Sequence, residues 1–166
     1  DAYVGMRANR RQRPGRAFER TSYRFDVLSD YGAFRDLQRH RMLTIDWQSL
    51  SPRHGYVRPA AVDAAGLASE FDTVMSRSAD LHDLLFEEFP DQAPYAVSLA
   101  YRVRYSMHFN AREAMHMLEL RTGPQGHEAY RRVCQRMHTA IRDVAGHRAI
   151  AEAMRFVDHS AEPALG

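Results

Sequence analysis

Two segments of the chain alternate apolar and polar residues with the period of two that is typical of half-buried strands. The first segment places Tyr23, Phe25 and Val27 on one side of the strand. The second extends from Ala100 to Phe109, and its apolar side consists of Val103, Tyr105, Met107 and Phe109. We therefore predict two strands, each with one face directed towards a core.

Between these strands the apolar residues recur every three or four positions, as they do in amphipathic helices. A short helix is predicted over Tyr31–Gln38 with Asp30 as its N-cap, and a long helix over Ala60–Phe89, which Pro90 ends. The apolar stripe of the long helix consists of Leu67, Phe71, Val74, Leu81 and Leu85. The intervening segment from Ser49 to Pro59 is rich in turn-forming residues and is predicted to be a loop.

Further helices are predicted after the second strand. Asn110 is followed three residues later by a glutamate, which is the form of a capping box, so a helix should begin there and end at Arg121. A last helical region begins near His127, is interrupted by Gly146 and continues over Ala149–Val157. Its buried stripe should consist of Tyr130, Val133, Met137, Ile141 and Val144. Together these elements predict an α+β domain, a small sheet packed with several helices.

Composition narrows the class of protein. The chain has 166 residues, 45% of them hydrophobic and 27% charged, which is the profile of one globular domain. A single cysteine, Cys134, excludes an intrachain disulfide and fits a reducing, cytoplasmic location. There is no apolar run long enough for a membrane span and no Cys/His spacing typical of a metal site, so neither is predicted. Because the chain opens on Asp1 and not on Met, we expect it to be a piece of a longer protein.

The basic residues are distributed unevenly. All 23 of them are arginine, which a GC-rich genome also produces, but ten lie between Arg7 and Arg41. The formal net charge is only +2, so a nucleic-acid partner is not required. Arg39-His40-Arg41 is the densest cluster, and Ser49 follows it after seven residues. Clustered guanidinium groups bind phosphates and carboxylates, although a basic helix end stabilised by the helix dipole would have the same composition.

This arrangement resembles the flavin-dependent thymidylate synthase family, often called ThyX, whose signature is Arg-His-Arg, seven residues and Ser. The resemblance covers most of the chain, roughly residues 16–154. It implies a ThyX-like domain over residues 16–157, preceded by an Arg-rich segment 1–15 and followed by a tail 158–166. The segments that match outside the signature are Phe18-Glu19, Tyr23-Arg24-Phe25, Asn110-Ala111-Arg112-Glu113, Leu120-Arg121 and, after Gly126-His127, Arg131.

Several positions depart from the family pattern. The family's Ser-Gly-Arg-Tyr ending is stretched here to Ser49-Leu50-Ser51-Pro52-Arg53-His54, which leaves Ser49 and Ser51 both open as the functional hydroxyl. The clustering of these changes suggests altered or lost activity in a divergent member, or one domain of a duplicated protein. The other departures are Pro14 for a histidine, Asp36 for a glutamine, Asp46-Trp47 for Asn-Glu, His116 for an asparagine and His127 for a glutamine.

The resemblance implies an enzyme that methylates deoxyuridine monophosphate (dUMP) reductively, with FAD as cofactor and methylene-tetrahydrofolate and NADPH as co-substrates. Arg121 would act on the uracil edge as the catalytic residue and as part of the substrate site. The cofactor site would consist of Arg39, His40 and Arg41. The rest of the substrate site would consist of Ser49, Ser51, Arg53 and Arg112. A homotetramer, or a pairing with a second ThyX-like domain, is expected.

Two alternatives remain. One is a non-catalytic ThyX-like homologue that assembles with an active partner domain, and the less favoured one is nucleic-acid binding through the Arg-rich first 41 residues. Trp47 could stack on a flavin or nucleotide, or it could pack in the loop. The sequence favours neither interpretation over the other. Cys134 lies in an apolar stripe and is expected to act as a small hydrophobe. We expect a structural role for three further histidines, His108, His116 and His138.

Overall fold

A computed structural model describes residues 4–160 of the chain. It contains three strands in the order β1-β3-β2, which form a small antiparallel sheet, together with helices, so the predicted α+β class is confirmed. Of the predicted tail 158–166, residues 161–166 lie outside the described part of the chain. The elements are β1 Ser22–Asp30, α1 Tyr31–Leu37, β2 Thr44–Trp47, α2 Ala60–Ala64, α3 Ala68–Glu88, β3 Arg102–Asn110, α4 Ala111–Arg121, α5 Glu128–Asp143 and α6 Arg148–Ala153.

The described chain divides into two compact units. The first comprises the chain up to Val27, Asp36–Asp46 and the chain from Ser106 onward. The second comprises Leu28–Arg35 and Trp47–Tyr105. No helix within residues 4–160 combines the length and the apolar character that crossing a bilayer requires.

Both predicted strands and the start of α4 are confirmed. The apolar side of β3 is buried, whereas Arg104 and His108 on its other side are exposed. At the end of β3, the Asn110 side chain accepts a hydrogen bond from the Glu113 backbone N–H at 2.9 Å. This cap satisfies one of the free N–H groups of the first helical turn and fixes where α4 begins. Asp30 caps α1 in the same way, accepting from the Ala33 N–H at 2.7 Å.

The predicted long helix differs from the observed one in two respects. It is broken after α2, where Gly66 adopts a φ of +72° that a residue with a side chain rarely takes, and α3 then begins at Ala68. The buried residues of α3 are Met75 and His82, not the predicted stripe. Three members of that stripe are about half exposed or more, namely Leu67 at 51%, Val74 at 60% and Leu81 at 48%.

Two further corrections concern the loop and the last helical region. The segment predicted as a loop after the motif is preceded by the unpredicted strand β2, and a short 3-10 turn over Pro52–His54 lies within it. The final helix α6 covers Arg148–Ala153 and is shorter than predicted. Of the predicted stripe on α5, Met137 and Ile141 are buried, but Val144 is 86% exposed because α5 has already ended at Asp143.

Candidate functional site

The imidazole of His40 is the buried centre of the Arg-His-Arg motif. Its side chain is 6% exposed, and Nδ1 lies 3.0 Å from Oε1 of Glu113, whose side chain is 9% exposed. Glu113 is held on the first turn of α4 by the Asn110 cap, so the cap also positions the carboxylate that meets His40. The sequence analysis has Glu113 as a capping-box residue and as part of a segment that matches the family, but it does not predict this contact with His40.

The other ring nitrogen of His40 meets Arg121, the last residue of α4. The Arg121 Nε–H donates to His40 Nε2 at 3.1 Å. Because a guanidinium can only donate, Nε2 must be the unprotonated nitrogen of a neutral imidazole, and Nδ1–H then donates to Glu113. The Glu113 carboxylate therefore selects the His40 tautomer that receives Arg121.

Two further partners hold the Arg121 guanidinium. Its Nη2 donates to the backbone oxygen of Asp36 at 2.7 Å, and its Nη1 lies 3.5 Å from the Asp36 carboxylate. The guanidinium carbon also lies 5.4 Å from the centre of the Tyr130 ring, within the range of a cation–π contact. The predicted catalytic residue is thus fixed in orientation, with 17% of its side chain exposed.

The remaining arginines of the predicted site are more accessible. Arg39 is 68% exposed and its guanidinium lies 3.7 Å from the Asp36 carboxylate. Arg41 is also exposed. Arg112 forms an ion pair with Glu19, and hydrogen bonds from Arg112 and then Arg16 lower the pKa of the Glu19 carboxyl. The structure therefore brings His40 and Arg121 into contact, while Arg112 is engaged with the chain ahead of β1.

A cavity of about 740 Å³ lies beside this constellation in the first unit. Glu113 and His116 are part of its wall, and the His116 ring lies 5.8 Å from that of His40 in an edge-on arrangement. Pro14 also lines it, so two positions that depart from the family pattern face the same space. The arginines in the wall are Arg7, Arg10, Arg11, Arg13, Arg16 and Arg112. Four of them, Arg10, Arg11, Arg13 and Arg16, are functional candidates that the sequence indicated only as a local excess of arginine.

The predicted hydroxyl and arginine downstream of the motif lie in the second unit. Ser51 precedes the Pro52–His54 turn as its N-cap residue, and Ser49 and Arg53 are exposed. Their participation in a site with His40 stays a prediction. Trp47 is 54% exposed and its ring packs at a tilt on Phe34, with centroids 5.6 Å apart.

Cys134 is fully buried on α5, and this burial raises the pKa of its thiol to about 12. Because the pKa is raised, the thiol stays protonated at every pH well below 12 and is not a nucleophile there. We expect no reaction with a disulfide reagent at pH 8 in the native protein and complete reaction in denaturant. The Cys134→Ala variant should lose only about 1 kcal/mol of stability in a denaturant titration. Equal labelling rates for native and unfolded protein would contradict this assignment.

The family model described as thymidylate synthase complementing protein matches residues 5–146. The chain therefore belongs to the thymidylate synthase complementing protein family, ThyX.

Three curated relatives carry the name UPF0159 protein. One from Chlamydia pneumoniae is 37% identical over 161 residues, 96% of this chain and 30% of the relative. One from Chlamydia muridarum is 38% identical over 160 residues, with the same coverage of 96% and 30%. A third, from Thermoplasma acidophilum, is 37% identical over 155 residues, 92% of this chain and 31% of the relative. The chain thus spans less than a third of the length of the curated relatives it matches.

Two solved structures share the fold. ThyX from Helicobacter pylori, in complex with FAD and dUMP, superimposes with a TM-score of 0.68 at 19% identity, covering 87% of this chain and 76% of that one. The UMP/dUMP methylase PolB from Streptomyces cacaoi, bound with 5-Br UMP, gives a TM-score of 0.67 at 19% identity, covering 85% and 77%.

Proposed function

We propose that this protein is a flavin-dependent thymidylate synthase that converts dUMP to dTMP with FAD, methylene-tetrahydrofolate and NADPH. The observation that carries the proposal is the hydrogen bond between His40 of the signature motif and Arg121 at the end of α4. Membership of the ThyX family supports it, as does the likeness in fold to a solved protein that holds FAD and dUMP.

The residues around the cavity fit an FAD cofactor. The cavity volume of about 740 Å³ is in the range of cofactor and ligand sites. The cavity wall contains six arginines and two glutamates. Guanidinium groups bind phosphate bidentately, so Arg10, Arg13 and Arg16 would hold the pyrophosphate of FAD. Arg39, His40 and Arg41 are proposed to complete the cofactor site. When bound, FAD supplies hydride transfer.

The chain's own residues orient the substrate and stabilise charge. Arg121 would donate hydrogen bonds to the carbonyl oxygens of the uracil ring and stabilise negative charge that develops on it. His40 and Glu113 keep this guanidinium in place, since His40 accepts from Arg121 and Glu113 fixes the His40 tautomer. Ser49 or Ser51, with Arg53 and Arg112, would bind the remainder of dUMP.

The exposed apolar face of α3 favours an assembly of several ThyX-like domains. Leu67, immediately before α3, and Val74 and Leu81 within it recur every seven residues and are each about half exposed or more, so they are accessible for packing against a partner. We propose that they pack in a homotetramer or against a second ThyX-like domain, for which the length of the curated relatives leaves room. A sedimentation mass equal to one isolated domain in dilute solution would contradict this assembly.

The first test of the function is flavin binding. Arg41→Ala should weaken FAD binding by about tenfold to a hundredfold, the effect of losing one charged hydrogen bond. The matched control is Arg35→Ala, which removes the same charge from an exposed position on α1. Quenching of flavin fluorescence measures both affinities, and equal affinities in the two variants would remove Arg41 from the cofactor site.

The second test is turnover, measured as tritium release from carbon 5 of dUMP in the presence of reduced flavin and methylene-tetrahydrofolate. The proposed enzyme releases tritium. Bound FAD without any release would favour the second candidate, a non-catalytic homologue that assembles with an active partner domain. The specific observation in favour of that candidate is Asp36, which places a carboxylate against Arg121 where the family pattern has a neutral glutamine.

A further inference from the structure

The last described segment of the chain, residues 155–160, lies along α5, and we name it the C-terminal strap. The Asp158 backbone N–H donates to Thr122 Oγ1 at 3.0 Å, directly after the last residue of α4. Gln135 on α5 donates through Nε2 to the backbone oxygens of Asp158 and Ser160, at 3.0 and 3.1 Å. These bonds hold the strap on α5 and against the end of α4.

A pair of histidines makes a further contact between α5 and the strap. His138 on α5 is only 8% exposed, and its Nδ1 lies 2.9 Å from Nε2 of His159 in the strap. The other ring nitrogen of His138, Nε2, lies 2.9 Å from the backbone oxygen of Ala151 on α6. Because a carbonyl oxygen only accepts, His138 carries its hydrogen on Nε2 and leaves Nδ1 as an acceptor. The contact with the strap is therefore a hydrogen bond donated by His159 Nε2–H, and it requires a neutral His138.

Protonation of His138 removes this hydrogen bond. The added proton occupies Nδ1, so that two N–H groups face each other and neither has an acceptor. Partial burial lowers the pKa of His159 below its ordinary value of 6.5, and the nearby His138 and Arg142 lower it further. Because the docked strap disfavours the protonated ring, docking is complete above about pH 6.5 and weakens as the pH falls below that value.

The carboxylates near the two histidines are already paired with arginines. On α5, Asp143 is held by Arg142, with two nitrogen–oxygen distances of 2.8 Å. In the strap, Asp158 lies 3.5 Å from the guanidinium of Arg131. The other charged residues of α6 and of the strap are exposed, namely Arg148, Glu152 and Arg155. A proton added to the histidine pair therefore gains only partial compensation from its surroundings.

We propose that His138 and His159 form an acid-sensitive latch, which holds the C-terminal strap at neutral pH and releases it when the pair is protonated. Release removes the bond from Asp158 to Thr122, the residue that directly follows Arg121, so the latch acts on the end of α4. The inference concerns the docking of the strap and does not depend on the proposed function.

Amide hydrogen exchange of the native protein at pH 8 and at pH 5, corrected for intrinsic exchange rates, tests the latch. Protection of the Asp158 amide should be about tenfold to a hundredfold lower at pH 5, the effect of leaving a buried donor without its acceptor. His159→Ala should protect this amide poorly at both pH values, because the donor to His138 is gone. His138→Asn should protect it at both, since the carboxamide oxygen can replace Nδ1 as the acceptor and does not titrate.

The matched control is His108→Ala, which removes an exposed histidine from β3 and should keep the wild-type dependence on pH. Equal protection of the Asp158 amide at both pH values in the wild-type protein would overturn the latch. A dependence on pH that persists in His159→Ala would overturn it as well, and this exposed position decides the test if His138→Asn does not fold. The amides of β3 are the internal reference. If they lose as much protection in acid as Asp158 does, the whole domain unfolds and the latch is again overturned.

Discussion

Replacing Arg121 by lysine should lower the rate of tritium release from dUMP by about 10²–10³, the usual effect of removing one donor that stabilises developing charge. Three contacts orient the guanidinium through different nitrogens, Nε to His40 and both Nη atoms to Asp36. A lysine ammonium keeps the charge but has no planar fork, so it cannot make these contacts and face the uracil edge at the same time. The loss should appear mainly in kcat.

The comparison variant is Arg132→Lys, on the exposed surface of α5, where the arginine pairs with Glu128 one turn away. This change should leave the rate within about a factor of two, since exposed pairs contribute little. FAD affinity should be unchanged in both variants. An Arg121→Lys protein that turns over at the wild-type rate would remove Arg121 from the reaction. One that no longer binds FAD would indicate a role in forming the site as a whole.

The elements that could be predicted from sequence are those whose signals are local. The alternation in β3 specifies a strand with one buried face, and Asn110 at its end provides the cap from which α4 begins. Both features depend on residues a few positions apart, so a short stretch of the sequence contains their physical cause. The short strand β2 was missed because its residues are mostly exposed and carry no alternation of burial.

The remaining features depend on partners that are distant along the chain. Helical spacing in α3 identified a helix but not which face would be covered, and the observed core contact is made by Met75 with Val97 and Tyr101. In the site, the signature motif identifies His40, and the matching segment at the end of α4 identifies Arg121. It did not indicate that Glu113, 73 positions after His40, selects its tautomer. The family pattern marked Asp36 as a departure, but only the structure places its carboxylate against Arg121.

Arg7→Ala should destabilise the protein by about 3–5 kcal/mol, the effect of leaving a buried charge without its partner. The Arg7 guanidinium forms a bidentate pair with Glu119 on α4, with nitrogen–oxygen distances of 2.8 and 2.6 Å. The side chains are only 3% and 1% exposed, so solvent cannot replace the lost partner of Glu119. Arg7 also donates to the backbone oxygens of Arg10 and Gln12, and these contacts fix the segment whose arginines line the cavity.

Two variants separate the buried pair from a general effect of removing positive charge. Arg20→Ala removes an exposed arginine and should change stability by less than about 0.5 kcal/mol. Arg7→Met combined with Glu119→Leu removes both charges and should recover much of the stability lost in Arg7→Ala, because no unpaired carboxylate remains. Thermal unfolding measures all three, with a decrease in Tm on the order of 10 °C expected for Arg7→Ala alone. If Arg7→Ala unfolds at the same temperature as Arg20→Ala, the Arg-rich segment is not held by this pair.

The double variant should still bind FAD more weakly than wild type, since the backbone contacts that Arg7 makes to the cavity segment are lost in it as well.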